Sequence, residues 1–197
     1  MWWRKLFEFR EIEDEPKPFF EHLEDLRSTL LRCLVALGIA MGICFLLREE
    51  IATIIQKPLE SVTPEHAKNL QSLGVADSMM ISLEIAFYSG VVLAFPLLLY
   101  FIAQFIIPGL TQTERGILLP ASVGGFCLFL IGVIFAYFIV LPAALGFFFE
   151  DAKRMNWQPS WTVREYYSFA TQFIIAFGLA FELPVVVFAL VKIGLLS

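Results

Sequence analysis

A chain of 197 residues with 58% hydrophobic content and a mean hydropathy of +0.75 carries more apolar surface than a soluble domain of its size can bury. Its formal net charge of −5 excludes a nucleic-acid surface, which needs a basic stripe to neutralise phosphates, and suits a cationic ligand instead. Cys33, Cys44 and Cys127 lack CxxC or other metal-ligand spacing and read as small core residues, with no metal or other cofactor implied.

Residues 1–18 mix Trp2, Trp3, Phe7 and Phe9 with an acidic run and close on Pro16 and Pro18, the composition of a tail rather than a packed element. Glu8, Glu11, Glu13, Asp14 and Glu15 occupy the place where a secretory signal peptide would carry its apolar region, so the chain is expected to insert through its own spans. Between residues 19 and 32, Phe19, Leu23, Leu26 and Leu30 recur at three- and four-residue spacing with charges between them. That periodicity predicts an amphipathic helix leading into a first span at about 28–47.

A bilayer core of about 30 Å needs roughly 20 helical residues to cross it. Residues 85–107 carry no charge, residues 116–149 carry none, and residues 166–191 carry only Glu182. Further spans are therefore expected at about 77–107, 116–141 and 165–191. The segment after the first span contains Pro58, Pro64, His66 and Gly74, and the one after the third, residues 150–165, contains Trp157, Pro159 and Trp161, aromatics suited to a water-membrane boundary. Pro96, Pro120, Pro142 and Pro184 each remove a backbone donor inside a span. Kinked helices of unequal length follow, and these pack into a concave, cup-like arrangement more readily than into a straight bundle. Gly38 with Gly42, and Gly124, Gly125 and Gly132, read as sites of close helix packing.

Arg4, Lys5, Arg10, Lys17, Arg27 and Arg32 precede or open the first span, against Arg48, Lys57 and Lys68 after it, which favours a cytoplasmic N-terminus. Lys153, Arg154 and Arg164 run against that bias. No HExxH, GxSxG or GxxxxGK motif is present, so catalysis is not expected. What remains is a set of carboxylates: Glu24 and Asp25 before the first span, Glu114 between the second and third, and Glu182 within the fourth. Boundary acids are commonly solvated or paired with a neighbour such as Arg27 or Arg115. An acid inside a span, by contrast, implies function or a polar partner, for which Gln172 and Gln104 are candidates.

The segment His22-Leu23-Glu24-Asp25-Leu26-Arg27 resembles the HLxELR motif of TatC, the multispanning subunit of the twin-arginine protein translocase. Pro108-Gly109-Leu110, followed by Thr111-Gln112-Thr113-Glu114-Arg115, is similar to that family's PGLxxxER segment. Residues 176–185, AFGLAFELPV, are similar to its AFGxxFExPV motif, and Phe135-Ala136-Tyr137-Phe138 with Pro142 fits its third span. The resemblance implies an all-α integral membrane protein of the TatC type. It also implies a receptor that binds twin-arginine signal peptides and assembles with small single-span TatA and TatB type subunits and with other TatC copies. Such a complex exports folded proteins across the cell inner membrane on the proton gradient.

By the same resemblance Asp25 and Glu114 contact the two signal-peptide arginines, with Arg27 and Phe105 beside them. Glu182 and Pro58 serve partner or translocation roles, and Glu24 occupies a variable position as a solvated charge. Guanidinium presents paired donors that a carboxylate can accept bidentately, whereas lysine offers a point charge, which accounts for a preference for arginine. The chain departs from the pattern in several places: Asp25 is one methylene shorter than the usual Glu, Phe101 and Ala103 replace a Gln and a Trp, Glu84 stands where many relatives carry Lys, and four spans are seen where TatC has six. The alternative is a secondary transporter or channel built around Glu182; it predicts internal repeats, which the sequence lacks, and leaves Asp25 and Glu114 without a role.

Overall fold

The computed structural model describes residues 19–64, 67, 70–107 and 112–192, without the side chains of 19, 112–119, 189 and 192. The expected tail at 1–18, His66, residues 108–111 of the second motif and the Glu114 side chain lie outside the described residues. Among the described residues six α-helices follow in order: α1 Phe19–Leu46, α2 Arg48–Val62, α3 Asp77–Ile106, α4 Gln112–Phe135, α5 Leu141–Arg154 and α6 Val163–Lys192. A π-helical turn, Ala136–Val140, joins α4 to α5.

Phe20–Leu46, Asp77–Ile106, Pro120–Arg154 and Val163–Phe188 are long and apolar enough to cross a membrane. Helices are what such sequences must form in lipid, because only an intrasegment ladder satisfies every backbone donor there. The fold is therefore all-α with four membrane-length helical stretches, as the hydropathy predicts.

The segment at 19–32 leads into the first apolar stretch as one uninterrupted helix, α1. The third stretch continues to Arg154, well past residue 141. Pro142 does not end it, because it falls at the N-terminal position of α5, where its missing N–H costs little. The wider π turn just before it carries the chain across, with the Leu141 N–H donating to the Ala136 carbonyl. What stops the helix is Asn156, in the left-handed region at φ 56°. The Trp157 N–H donates to the Ala152 carbonyl at 2.9 Å and the Asn156 N–H to the Lys153 carbonyl at 3.0 Å, the paired bonds of a Schellman ending.

The spans pack in two pairs, α1 on α3 and α4 on α6, with α3 against α6 joining them. Glycine sets the approach in both pairs. A Cβ on Gly90 would lie 2.9 Å from the Met41 backbone, and one on Gly132 would lie 2.8 Å from the Phe177 carbonyl oxygen. Where the pairs meet, Phe95 and Phe129 stack with ring centroids 3.6 Å apart, buried with Ile175. Gly38 and Gly42 behave differently: a Cβ on either meets nothing within 4 Å. They lie on the α1 face that exposes Leu34, Val35, Ile39 and Ile43, so this pair makes no close helix packing within the described chain.

At one end of the spans, α2 and the segments that follow α2 and α5 form a cap. The two segments meet in a parallel bridge between Gln71 and Thr162, with the Val163 N–H donating to the Gln71 carbonyl at 3.0 Å. A capping box, in which the Glu165 N–H donates to Thr162 Oγ1 at 3.1 Å and the Thr162 N–H donates back to Glu165 at 3.3 Å, starts α6. Pro58 explains how the cap is tied down. Within α2 it lacks the N–H that would bond the Ile54 carbonyl four residues earlier, and the Tyr137 hydroxyl from the π turn donates to that carbonyl at 2.7 Å. The Tyr166 hydroxyl donates to the Ile55 carbonyl at 2.6 Å, and Ile55, Leu59, Tyr166 and Tyr167 are buried together.

Gly132→Leu should lower stability by about 1–3 kcal/mol, since a side chain there meets backbone that cannot yield, while Gly38→Ala and Gly42→Ala stay within about 0.5 kcal/mol of wild type. Thermal unfolding in detergent measures the contrast. Tyr137→Phe should cost about 0.5–1.5 kcal/mol by orphaning the Ile54 carbonyl. In a Pro58→Ala background the same change should cost less, because the new N–H takes up that carbonyl; equal costs in the two backgrounds would refute the coupling.

Candidate functional site

The first turns of α1 carry the HLEDLR segment, and they are held against the far end of α3 by a ring stack. His22 and Phe105 have centroids 4.7 Å apart and planes inclined by 22°. Asp25 lies one turn along from His22, and residues three apart on a helix share a face. Asp25 is half-buried, as is Phe105, while Arg27 is exposed. The backbone of Glu114 belongs to the first turn of α4, which begins six residues after α3 ends. The end of the molecule opposite the cap therefore gathers His22, Asp25 and Phe105. A carboxylate beside an aromatic ring there can accept a guanidinium and stack its planar face.

Glu182 lies about 28 Å along α6 from its first residue at 1.5 Å per residue. It is only 8% exposed, and its Oε1 is buried with no hydrogen-bond partner among the described residues. Gly125 makes the space: a Cβ there would stand 2.8 Å from Glu182 Oε2. The two amides considered as its partners are engaged elsewhere. Gln172 Nε2 donates to Glu84 Oε1 at 3.2 Å, and Gln104 Nε2 donates to the Tyr100 hydroxyl at 2.9 Å.

Pro58 is buried in α2, in the cap with Tyr166 and Tyr167, and the structure does not bring it to Glu182. Sequence reasoning had no account of Glu84. The Ser168 hydroxyl donates to Glu84 Oε2 at 2.6 Å, so with Gln172 this carboxylate is a polar tie between α3 and α6. The signal was available: Ser168 and Gln172 are four apart and share one face of α6. No group of His, Cys, Asp or Glu able to hold a metal occurs among the described residues.

Residues 21–197 match the family model for the Sec-independent protein translocase protein TatC. A TatC of Akkermansia muciniphila is 48% identical over 130 residues, covering 66% of this chain and 37% of that protein. A TatC of Campylobacter jejuni is 31% identical over 176 residues, covering 89% of this chain and 72% of that protein. A crystal structure of the twin arginine translocase receptor TatC superposes with a TM-score of 0.81 at 34% identity, over 89% of this chain and 77% of that one. The chain thus spans little more than a third of the first relative and about three quarters of the solved receptor. The family is one of protein-transport components rather than enzymes, and the motifs at 22–27, 108–115 and 176–185 fall inside the matched region. With a family model covering most of its length and a shared architecture, this chain belongs to the TatC family of Sec-independent protein translocase proteins.

Proposed function

We propose that this chain is a signal-peptide receptor of the twin-arginine pathway. Asp25 and Glu114 each take one arginine of the peptide, while Arg27 orients the site and Phe105 offers a ring to the bound guanidinium. The site faces the cytoplasm of a cell whose inner membrane holds the protein, with the N-terminus on the same side. The observation that carries the reading is the His22–Phe105 stack, which seats the turn bearing Asp25 against the end of α3, six residues before α4 and the backbone of Glu114 begin. In this reading the acids at positions 25 and 114, borne by different helices, offer one carboxylate to each of two adjacent arginines. The solved relative described as a twin arginine translocase receptor has this helix arrangement.

The chain further assembles with single-span TatA and TatB type subunits and with other TatC copies to export folded proteins on the proton gradient. Glu182 is the contact for a polar group of such a partner, since its unpaired oxygen gains a hydrogen bond when one arrives. Pro58 acts at one remove, by freeing the Ile54 carbonyl on which the cap is fastened.

A fluorescent twin-arginine peptide should bind the detergent-solubilised chain better than its twin-lysine counterpart. Glu114→Gln or Asp25→Asn should each weaken arginine-peptide binding by about 1–3 kcal/mol, a charged hydrogen bond's worth. Unchanged binding in the double variant would dispose of the site. Glu182→Gln should leave peptide affinity within about twofold of wild type, as a change distant from the site does, while co-purification of single-span subunits falls. Undiminished co-purification would remove Glu182 from the partner contact.

A further inference from the structure

A cavity of about 450 Å³ opens at the cap end of the spans, lined by Arg48, Glu49, Ser72, Ser78 and Ser82 with Ile81 and Tyr167. Its position is set by three helix beginnings: Arg48 opens α2, Ser78 and Ser82 lie in the first two turns of α3, and α6 begins at Val163 beside them. Three of the membrane-length stretches end or begin here, at Leu46, Asp77 and Val163. The neighbours of the lining residues in the chain are apolar and outward: Leu46 is 81% exposed and Met79 59% exposed, and Leu47 and Leu83 are exposed as well.

The two charges in the cavity are opposite in sign. The Arg48 guanidinium sits over the Phe45 ring, 4.8 Å from its centroid, and among the described residues neither Arg48 nor Glu49 has an ion-pair partner. The hydroxyls around them are held only by local backbone: Ser82 donates to the Ser78 carbonyl at 2.7 Å, so its oxygen can only accept, as from an ammonium, while the Ser78 hydroxyl keeps its proton to donate to a phosphate. A guanidinium with serine hydroxyls is a phosphate site. A carboxylate one residue away is the wrong neighbour for a second phosphate oxygen and the right one for an ammonium.

We propose that this cavity seats the headgroup of an aminophospholipid from the adjoining leaflet. The phosphate lies on Arg48 and the Ser78 hydroxyl, the primary ammonium on Glu49 with the Ser82 oxygen available to it, and the acyl chains on the exposed apolar faces of α1 and α3. The net charge of the pair is zero, which matches a zwitterion and disfavours an anionic lipid. A choline headgroup carries no N–H to donate to Glu49, so the site distinguishes ethanolamine from choline.

The test equilibrates the intact chain in mild detergent with dioleoyl phosphatidylethanolamine, phosphatidylcholine or phosphatidylglycerol and counts bound lipid by native mass spectrometry. The ethanolamine lipid should be retained about tenfold better than the other two, the scale of a charge-assisted hydrogen bond. Arg48→Gln should cut its retention about tenfold, Glu49→Gln should erase the preference over choline, and Arg154→Gln, on the same side but outside the cavity, should change nothing. Equal retention of all three lipids, wild-type behaviour of both cavity variants, or an equal loss in Arg154→Gln would overturn the proposal. Displacement of the lipid by equimolar glycerophosphoethanolamine would overturn its assignment to a lipid.

Discussion

Close approach of backbones at glycine is the constraint on which this structure rests. In hydrocarbon the hydrophobic effect gives helices no reason to associate, so contact must come from dispersion over well-fitted surfaces and from a few hydrogen bonds. Gly90 lets α1 ride on α3 at the Met41 backbone, and Gly132 lets α4 ride on α6 at the Phe177 carbonyl. Gly178 adds to the second pair by admitting the Phe129 ring, which a Cβ would meet at 2.7 Å. Phe129 can then reach Phe95. One small residue on α6 thus makes room for the ring at the centre of the core the two pairs share.

The cap obeys a different physics because it lies where water returns. There the ties are polar and directional: three tyrosine hydroxyls, from Tyr137, Tyr166 and Tyr167, donate to carbonyls of one short helix, α2. Proline is the reason one of these carbonyls is free. Pro58 withholds an N–H from Ile54, and Tyr137 supplies the missing donor from a turn that the neighbourhood of Pro142 has widened into a π-helix. Two prolines in different elements therefore act on one hydrogen bond. The Tyr137 hydroxyl and an N–H at position 58 would compete for the same carbonyl, which makes Tyr137 and Pro58 a coupled pair instead of two independent features.

Much of this was legible in the residues. Uncharged runs gave the membrane-length stretches, the spacing of Leu23, Leu26 and Leu30 gave the helix that opens α1, and three ordered motifs gave the family. Helix ends were less legible, since the extension to Arg154 depends on where Pro142 falls within a turn, and no periodicity reveals that. Gly38 and Gly42 look the same in sequence as Gly132, yet they face outward while Gly132 is sealed. Such a distinction depends on a partner helix remote in sequence. Glu84 looked like a charge reversal without a cause; its cause is Ser168 and Gln172, more than eighty residues away. The turn bearing Asp25 is seated by the stack of His22 on Phe105, a partner remote in sequence, whereas both amides anticipated for Glu182 bond other groups.

Those lost partners sharpen what Glu182 is. A carboxyl group inside a helix bundle is expensive unless its oxygens are bonded, and here Gln172 serves Glu84 while Gln104 serves Tyr100. The chain could relieve the cost with a donor at position 125, but a glycine stands there and a Cβ would collide with Glu182 Oε2. Space is thus reserved for the carboxyl, and among the described residues its Oε1 has no donor. Gly125 and the unpaired Oε1 therefore belong together: the missing Cβ lets the carboxyl lie against α4, and in the partner role proposed above Oε1 is the oxygen that an incoming donor reaches.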